Sequence, residues 1–314
     1  MSRRVLAAAG LFLALAAGSV VAKADGVLFG PGQLPEAART SIAARIAQAK
    51  HDTPEAFARI RSLKGHRPEV YGKTRSLKPS VADELAAIGP GGSWAIVDAI
   101  AYSPLPRGAA NDEEWTSVQL GLVGRLSDLR VQEASAVLER VLAMPGVQDD
   151  VRRAAGAGLG KLGGEREIAV LVAALAQRDA RREAGLFGLR RVRRPDAVAA
   201  VAALLRQGDT EEATARVAAT TLGHQGSSWA WATGNAGREE ERSEVQARCV
   251  EALVVSYLRY QGEGREYAAR ALQMVEQPAT LERIAAEQSA RGAKEDQELL
   301  AQLARRLQAA WGRR

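Results

Sequence analysis

A chain of 314 residues, 46% hydrophobic but only 4% aromatic, can bury a core made of Ala and Leu rather than rings, which is the composition of closely packed helices. Its one cysteine, Cys249, excludes an internal disulfide framework; on a helix, three residues before Ala252-Leu253-Val254, it reads as a small buried hydrophobe. A formal charge of +6, part of it carried by the amino-terminal segment, is too small to call for nucleic acid by itself.

Residues 1–24 read as a cleaved signal peptide. Arg3 and Arg4 form the charged n-region, Val5–Ala17 is an apolar run too short to span a bilayer comfortably, and Ala22-Lys23-Ala24 supplies the small-x-small cleavage pattern before Asp25. The protein is therefore expected to be exported, periplasmic or secreted, by either the Sec or the twin-arginine route. Downstream, no apolar run approaches the roughly 20 residues of a membrane helix, so no membrane span is expected after signal removal.

Residues 25–92 form an amino-terminal helical segment. Gly26, Gly30, Pro31 and Gly32 mark residues 25–33 as a leader without structure of its own. Leu34–Lys50 places Ile42, Ile46 and Ala49 on one helical stripe, and Thr53-Pro54-Glu55 starts a second helix over Pro54–Leu63. Residues 64–80, where Gly65, Pro68, Gly72 and Pro79 alternate with Lys and Arg, read as a basic loop. Val81–Ile88 is helical and ends at Gly89-Pro90-Gly91-Gly92.

Residues 93–311 alternate helices with short connections: Ser93–Tyr102, Asp112–Leu126, Val131–Ala143, Gln148–Leu162, Glu165–Ala176, Asp179–Val192, Asp196–Arg206 and Asp209–Gly223. Such short links make neighbours antiparallel. Leu159, Leu189 and Leu222 recur at intervals of about 30 residues, the period of stacked helix pairs, and Leu253 in Glu244–Tyr260 extends that register. Asp149, Asp179 and Asp209 lie near second-helix starts, where a carboxylate meets unpaired amides. Ala154-Ala155-Gly156-Ala157-Gly158 provides small residues for close helix contact, Gly163-Gly164 stops one helix, and Pro195 starts another.

After Gly223 the next first helix is missing from the pattern, replaced by a Trp-bearing interruption at 224–237. Insertions in solenoids map to one face, and Trp is a frequent interface anchor, so Trp229 and Trp231 are candidate binding residues. The same two rings could instead plug the gap; both readings stay open. Arg238–Tyr260, Gly264–Val275, Ala279–Arg291 and Lys294–Trp311 follow, the last with Leu300, Leu303, Leu307 and Trp311 on the stripe that a carboxy-terminal cap requires.

Asp149-Asp150-Val151-Arg152-Arg153-Ala154-Ala155 through Leu159-Gly160, followed by Ile168–Leu175, resembles the short HEAT repeat named after phycobilisome lyases, with weaker copies in register through about Leu258. The resemblance implies an all-α fold, an α-solenoid of stacked antiparallel helix pairs with helical amino- and carboxy-terminal caps. It also implies a use in protein binding, with a bilin-lyase or DNA-repair glycosylase activity in some members.

The residues name no chemistry. His51, His66 and His224 are dispersed, no H-E-x-x-H or paired Cys is present, and no metal or cofactor is expected. Gly156-Ala157-Gly158-Leu159-Gly160 spells a nucleotide fingerprint but lies within a helix and follows no strand. No catalytic residue is assigned. An enzyme of lyase or glycosylase type would need an acid or tyrosine in a pocket, for which Tyr257, Tyr260 and Glu251 are the nearest candidates. One cluster carries charge: Arg178, Arg181, Arg182, Arg190, Arg191, Arg193 and Arg194, of which Arg182, Arg190 and Arg194 could share a face and meet carboxylate or phosphate. The expected function is a non-catalytic protein-interaction scaffold in the bacterial envelope with an unidentified protein partner. The alternative ligand of the Arg-rich face is an acidic surface or anionic envelope polymer; export argues against nucleic acid.

Overall fold

The computed structural model describes residues 26–63, 81–207, 210–233, 238–276 and 278–312. The expected signal peptide, the basic loop at 64–80, His66, Asp209 and positions 234–237 of the interruption lie outside them. Among the described residues the regular elements are all helical, with no strand, and none is long and apolar enough to cross a membrane.

Three helices, α1 (Glu36–Asp52), α2 (Pro54–Arg61) and α3 (Val81–Ala86), precede six stacked pairs. The pairs are α4 (Ser93–Ala101) with α5 (Asp112–Leu129), α6 (Ser135–Ala143) with α7 (Asp149–Leu162), and α8 (Glu165–Leu175) with α9 (Ala180–Leu189). After them come α10 (Pro195–Arg206) with α11 (Glu212–Gly226), α13 (Arg242–Arg259) with α14 (Gly262–Val275), and α15 (Pro278–Ala290) with α16 (Lys294–Trp311). Second helices pack in the order α3, α5, α7, α9, α11, α14, α16, and from α6 onward first helices pack as α6, α8, α10, α13, α15. This is an all-α, HEAT-like solenoid, in which each pair buries its apolar faces only against its neighbours.

Local sequence explains the ends of these helices. Asn111 and Glu114 form a reciprocal capping box at the start of α5, Asp179 caps α9 by accepting from the Arg181 amide at 2.9 Å, and Pro195 occupies the first turn of α10. Gly163 ends α7 in the left-handed region, its amide donating to the Leu159 carbonyl at 3.0 Å. A further device recurs. An Arg reaches the carbonyls that close an adjoining helix: Arg152 to Leu142 at 2.6 Å, Arg182 to Leu175 at 3.0 Å, and Arg265 to Tyr257 and Tyr260 at 3.1 and 3.0 Å. These bonds satisfy acceptors that a helix end leaves without intrahelical partners.

Three sequence expectations are corrected. α13 packs on α10 in the first layer and α14 takes the place beside α11, so Leu253 is a first-layer residue and not the successor of Leu222. No helix is missing after Gly223. α11 runs on to Gly226, and the interruption is a connection that includes α12 (Ser228–Ala232). The leader is also structured: the Val27 amide donates to the Ala99 carbonyl at 2.8 Å and the Leu28 amide to Ile100 at 3.1 Å, while Phe29 is fully buried against the core. Its backbone thus supplies donors to the last turn of α4. Nearby, buried Asp98 on α4 meets Lys50 of α1 at 3.1 Å and ties the amino-terminal helices to the first pair.

Candidate functional site

α5, α7 and α9 are consecutive in the second layer, and residues from their carboxy-terminal ends line a single cleft of about 470 Å³. Arg130 follows α5, Lys161 stands in the last turn of α7, and Arg191, Arg193 and Arg194 follow α9. Arg238, from beyond the interruption, completes the basic lining, and Trp229 of α12 stands in it. Helix carboxy-termini carry negative partial charge, which favours the cations at the ends of α5, α7 and α9, whereas Arg194 stands at the amino-terminal cap of α10.

The cations are not equivalent. Lys161 pairs with Asp128; Arg194 lies 3.5 Å from Glu241 and 4.0 Å from Asp196; Arg238 lies 3.5 Å from Glu241. Among the described residues no carboxylate pairs with Arg130, Arg191 or Arg193. Burial lowers the affinity of the Arg193 guanidinium for its proton, with Arg191 adding repulsion, and the Arg193 Nε is enclosed without a hydrogen-bond partner. Half-buried His224 feels the same field: burial first, then Arg190, Arg193 and Arg191, hold it below its ordinary value and favour the neutral ring.

The two Trp residues divide between the readings left open by the sequence. Trp231 is a plug, buried, its Nε1 donating to the Gln225 carbonyl at 3.0 Å. Gln225 in turn donates through Nε2 to the Leu189 and Val192 carbonyls at 3.0 and 3.1 Å, and Gln246 donates to the Gly226 carbonyl at 2.9 Å. This buried amide chain fixes α12 against the end of α9. Trp229, two positions away, is 73% exposed; it and Leu120 are the exposed large apolar side chains among the described residues.

The expected Arg stripe does not exist as one face. Arg182 is spent on the α8 carboxy-terminus through its bond to Leu175. Arg190 stacks on Phe187, 3.9 Å from the ring centroid, with its Nε enclosed. Of the three proposed members only Arg194 lines the cleft, where Arg191 and Arg193 join it and where Arg130 and Lys161, which sequence reading did not single out, arrive from neighbouring pairs. Of the candidate enzymatic residues, Glu251 on α13 is exposed, Tyr257 on the same helix is buried and Tyr260, its carboxy-terminal cap, is half-buried; none of the three lines this cleft. Cys249 is fully buried, and burial raises its thiol far above the ordinary range, so it is not a poised nucleophile. Gly156–Gly160 lies inside α7 as expected from its lack of a preceding strand.

The arrangement gathers cations from three helix ends and one exposed ring around a single cleft. No protein-family model matches the chain, and no curated protein does. Among solved structures it is similar to human deoxyhypusine hydroxylase in complex with glycerol, at 15% identity and a TM-score of 0.32, over 85% of this chain and 98% of that chain. At those values the likeness carries no functional argument, and the fold assignment rests on the helix pairing itself.

Proposed function

We propose that the protein is a non-catalytic protein-interaction scaffold of the bacterial envelope, built on short HEAT-like repeats of the phycobilisome-lyase kind. One observation carries the reading. Trp229 is held out at 73% exposure by an α12 whose other ring, Trp231, is locked inside by hydrogen bonding, so its exposure is fixed by the fold rather than by a mobile loop. A rigid aromatic that loses little conformational freedom on binding is the commonest kind of interface anchor.

The test is affinity capture from envelope extract with the full chain, comparing the wild type with W229A. A partner recovered in stoichiometric amount by the former and lost by the latter supports the scaffold. Recovery of a bound small chromophore with no protein partner sinks it.

A further inference from the structure

We propose that the cleft between the ends of α5, α7 and α9 receives a short acidic peptide segment of the partner, with its carboxylates on Arg130, Arg191 and Arg193 and an apolar side chain against Trp229. This rests on the scaffold reading and names the chemistry of the contact.

Four observations support it. First, the three guanidiniums lack carboxylate partners among the described residues, although neighbouring Lys161, Arg194 and Arg238 all have them. Guanidinium forks match carboxylates two bonds at a time, which gives orientation as well as attraction. Second, Arg130 sits in the left-handed region at φ 52°, where glycine would be relaxed. An L-residue is strained there relative to glycine, and this left-handed cap at the end of α5 is what sets Arg130 at the cleft. Third, the 470 Å³ cleft is far larger than a single oxyanion needs, given about 30 Å³ for a water, so it accommodates several residues of chain. Fourth, Asp128, Asp196 and Glu241 are interspersed with the cations. A continuous polyanion would be repelled by these carboxylates, whereas a segment with two or three acids and an apolar residue places its charge where the free cations are and its apolar group on Trp229.

The experiment is selection of random 12-residue displayed peptides on the full chain, with affinities of the recovered peptides then measured against variants and against inorganic polyphosphate as competitor. Recovered sequences are expected to carry at least two acids beside an aromatic or aliphatic residue. Their affinity should fall about 20-fold in R191E/R193E and about 5-fold in W229A. Because Arg193 is partly enclosed, R130E/R191E, which alters only exposed side chains, is measured in parallel and should show a comparable loss. Failure to select any peptide, selection without acidic enrichment, affinities unchanged in both charge-reversal pairs, or displacement by polyphosphate at lower concentration than by the peptides would each overturn the inference. The scaffold reading fails separately: a captured partner lost in W229A but retained by both charge-reversal variants removes only the acidic-segment inference, whereas retention by all three removes both.

Discussion

Gly160 and Gly188 meet backbone to backbone where α7 packs on α9: a methyl group at Gly160 would overlap the Gly188 carbonyl oxygen, and one at Gly188 would overlap the carbonyl of Gly156. The contact sets how closely the second and third pairs approach, and through them how near Lys161 comes to Arg191. G160A is expected to destabilise by about 2–3 kcal/mol, as overpacking against backbone does. G124A in α5, where a methyl meets nothing within 4 Å, should instead stabilise by up to about 1 kcal/mol. Urea unfolding of the two variants, compared at constant m-value, checks the contrast.

The two tryptophans should separate stability from binding. W231A removes a buried ring and leaves the Gln225 carbonyl without its donor, at about 3–5 kcal/mol. W229A removes an exposed ring and should stay within about 0.5 kcal/mol of wild type. Equal losses in thermal unfolding would contradict the division of roles.

Arg130 is expected to show opposite effects on its two properties. R130G relieves a left-handed residue and should raise stability by about 0.5–1 kcal/mol while weakening acidic-peptide binding. Denaturant midpoint and peptide affinity, measured on one preparation, test the trade.

Acid should loosen the carboxy-terminal cap. Glu266 of α14 receives a fork from Arg306 of α16, at 2.5 and 2.7 Å, and a further bond from Arg270 at 2.9 Å. These bonds, Arg306 first, take its carboxyl from 4.5 to about 2. A depressed folded value means stabilisation that is complete above the unfolded value near 4.5 and is lost as pH falls through about 2. Since both side chains are more than a third exposed, the contribution after screening is about 1 kcal/mol. The stability difference between wild type and E266Q should therefore stand at pH 7 and vanish towards pH 2.

Helix spans were legible because caps, breakers and periodicity are local. Gly163, Pro195 and the Leu300–Leu303–Leu307 stripe behave as their sequence context dictates. Layer assignment was not legible: a period of about 30 residues is satisfied equally by a leucine in either helix of a pair, and Leu253 took the wrong one. Nor does the sequence separate arginines that close a helix end from arginines that face a ligand. Arg182 and Arg191 are spelled alike, and only the nearby Leu175 carbonyl distinguishes them. The Trp pair did carry a signal. Positions two apart on a helix project roughly 200° from each other, so once Ser228–Ala232 is helical, burying Trp231 turns Trp229 outward.

The cleft takes Arg130 from one pair, Lys161 from the next, Arg191 and Arg193 from a third, and Trp229 from the connection after a fourth. Adjacent helices stand about 8–10 Å apart, so duplicating or deleting one pair between α5 and α12 would carry the ring that distance from the charges while leaving every local contact type intact. Repeat number within this stretch is therefore locked by the geometry of the cleft, whereas adding or removing pairs elsewhere in the stack would leave its lining intact.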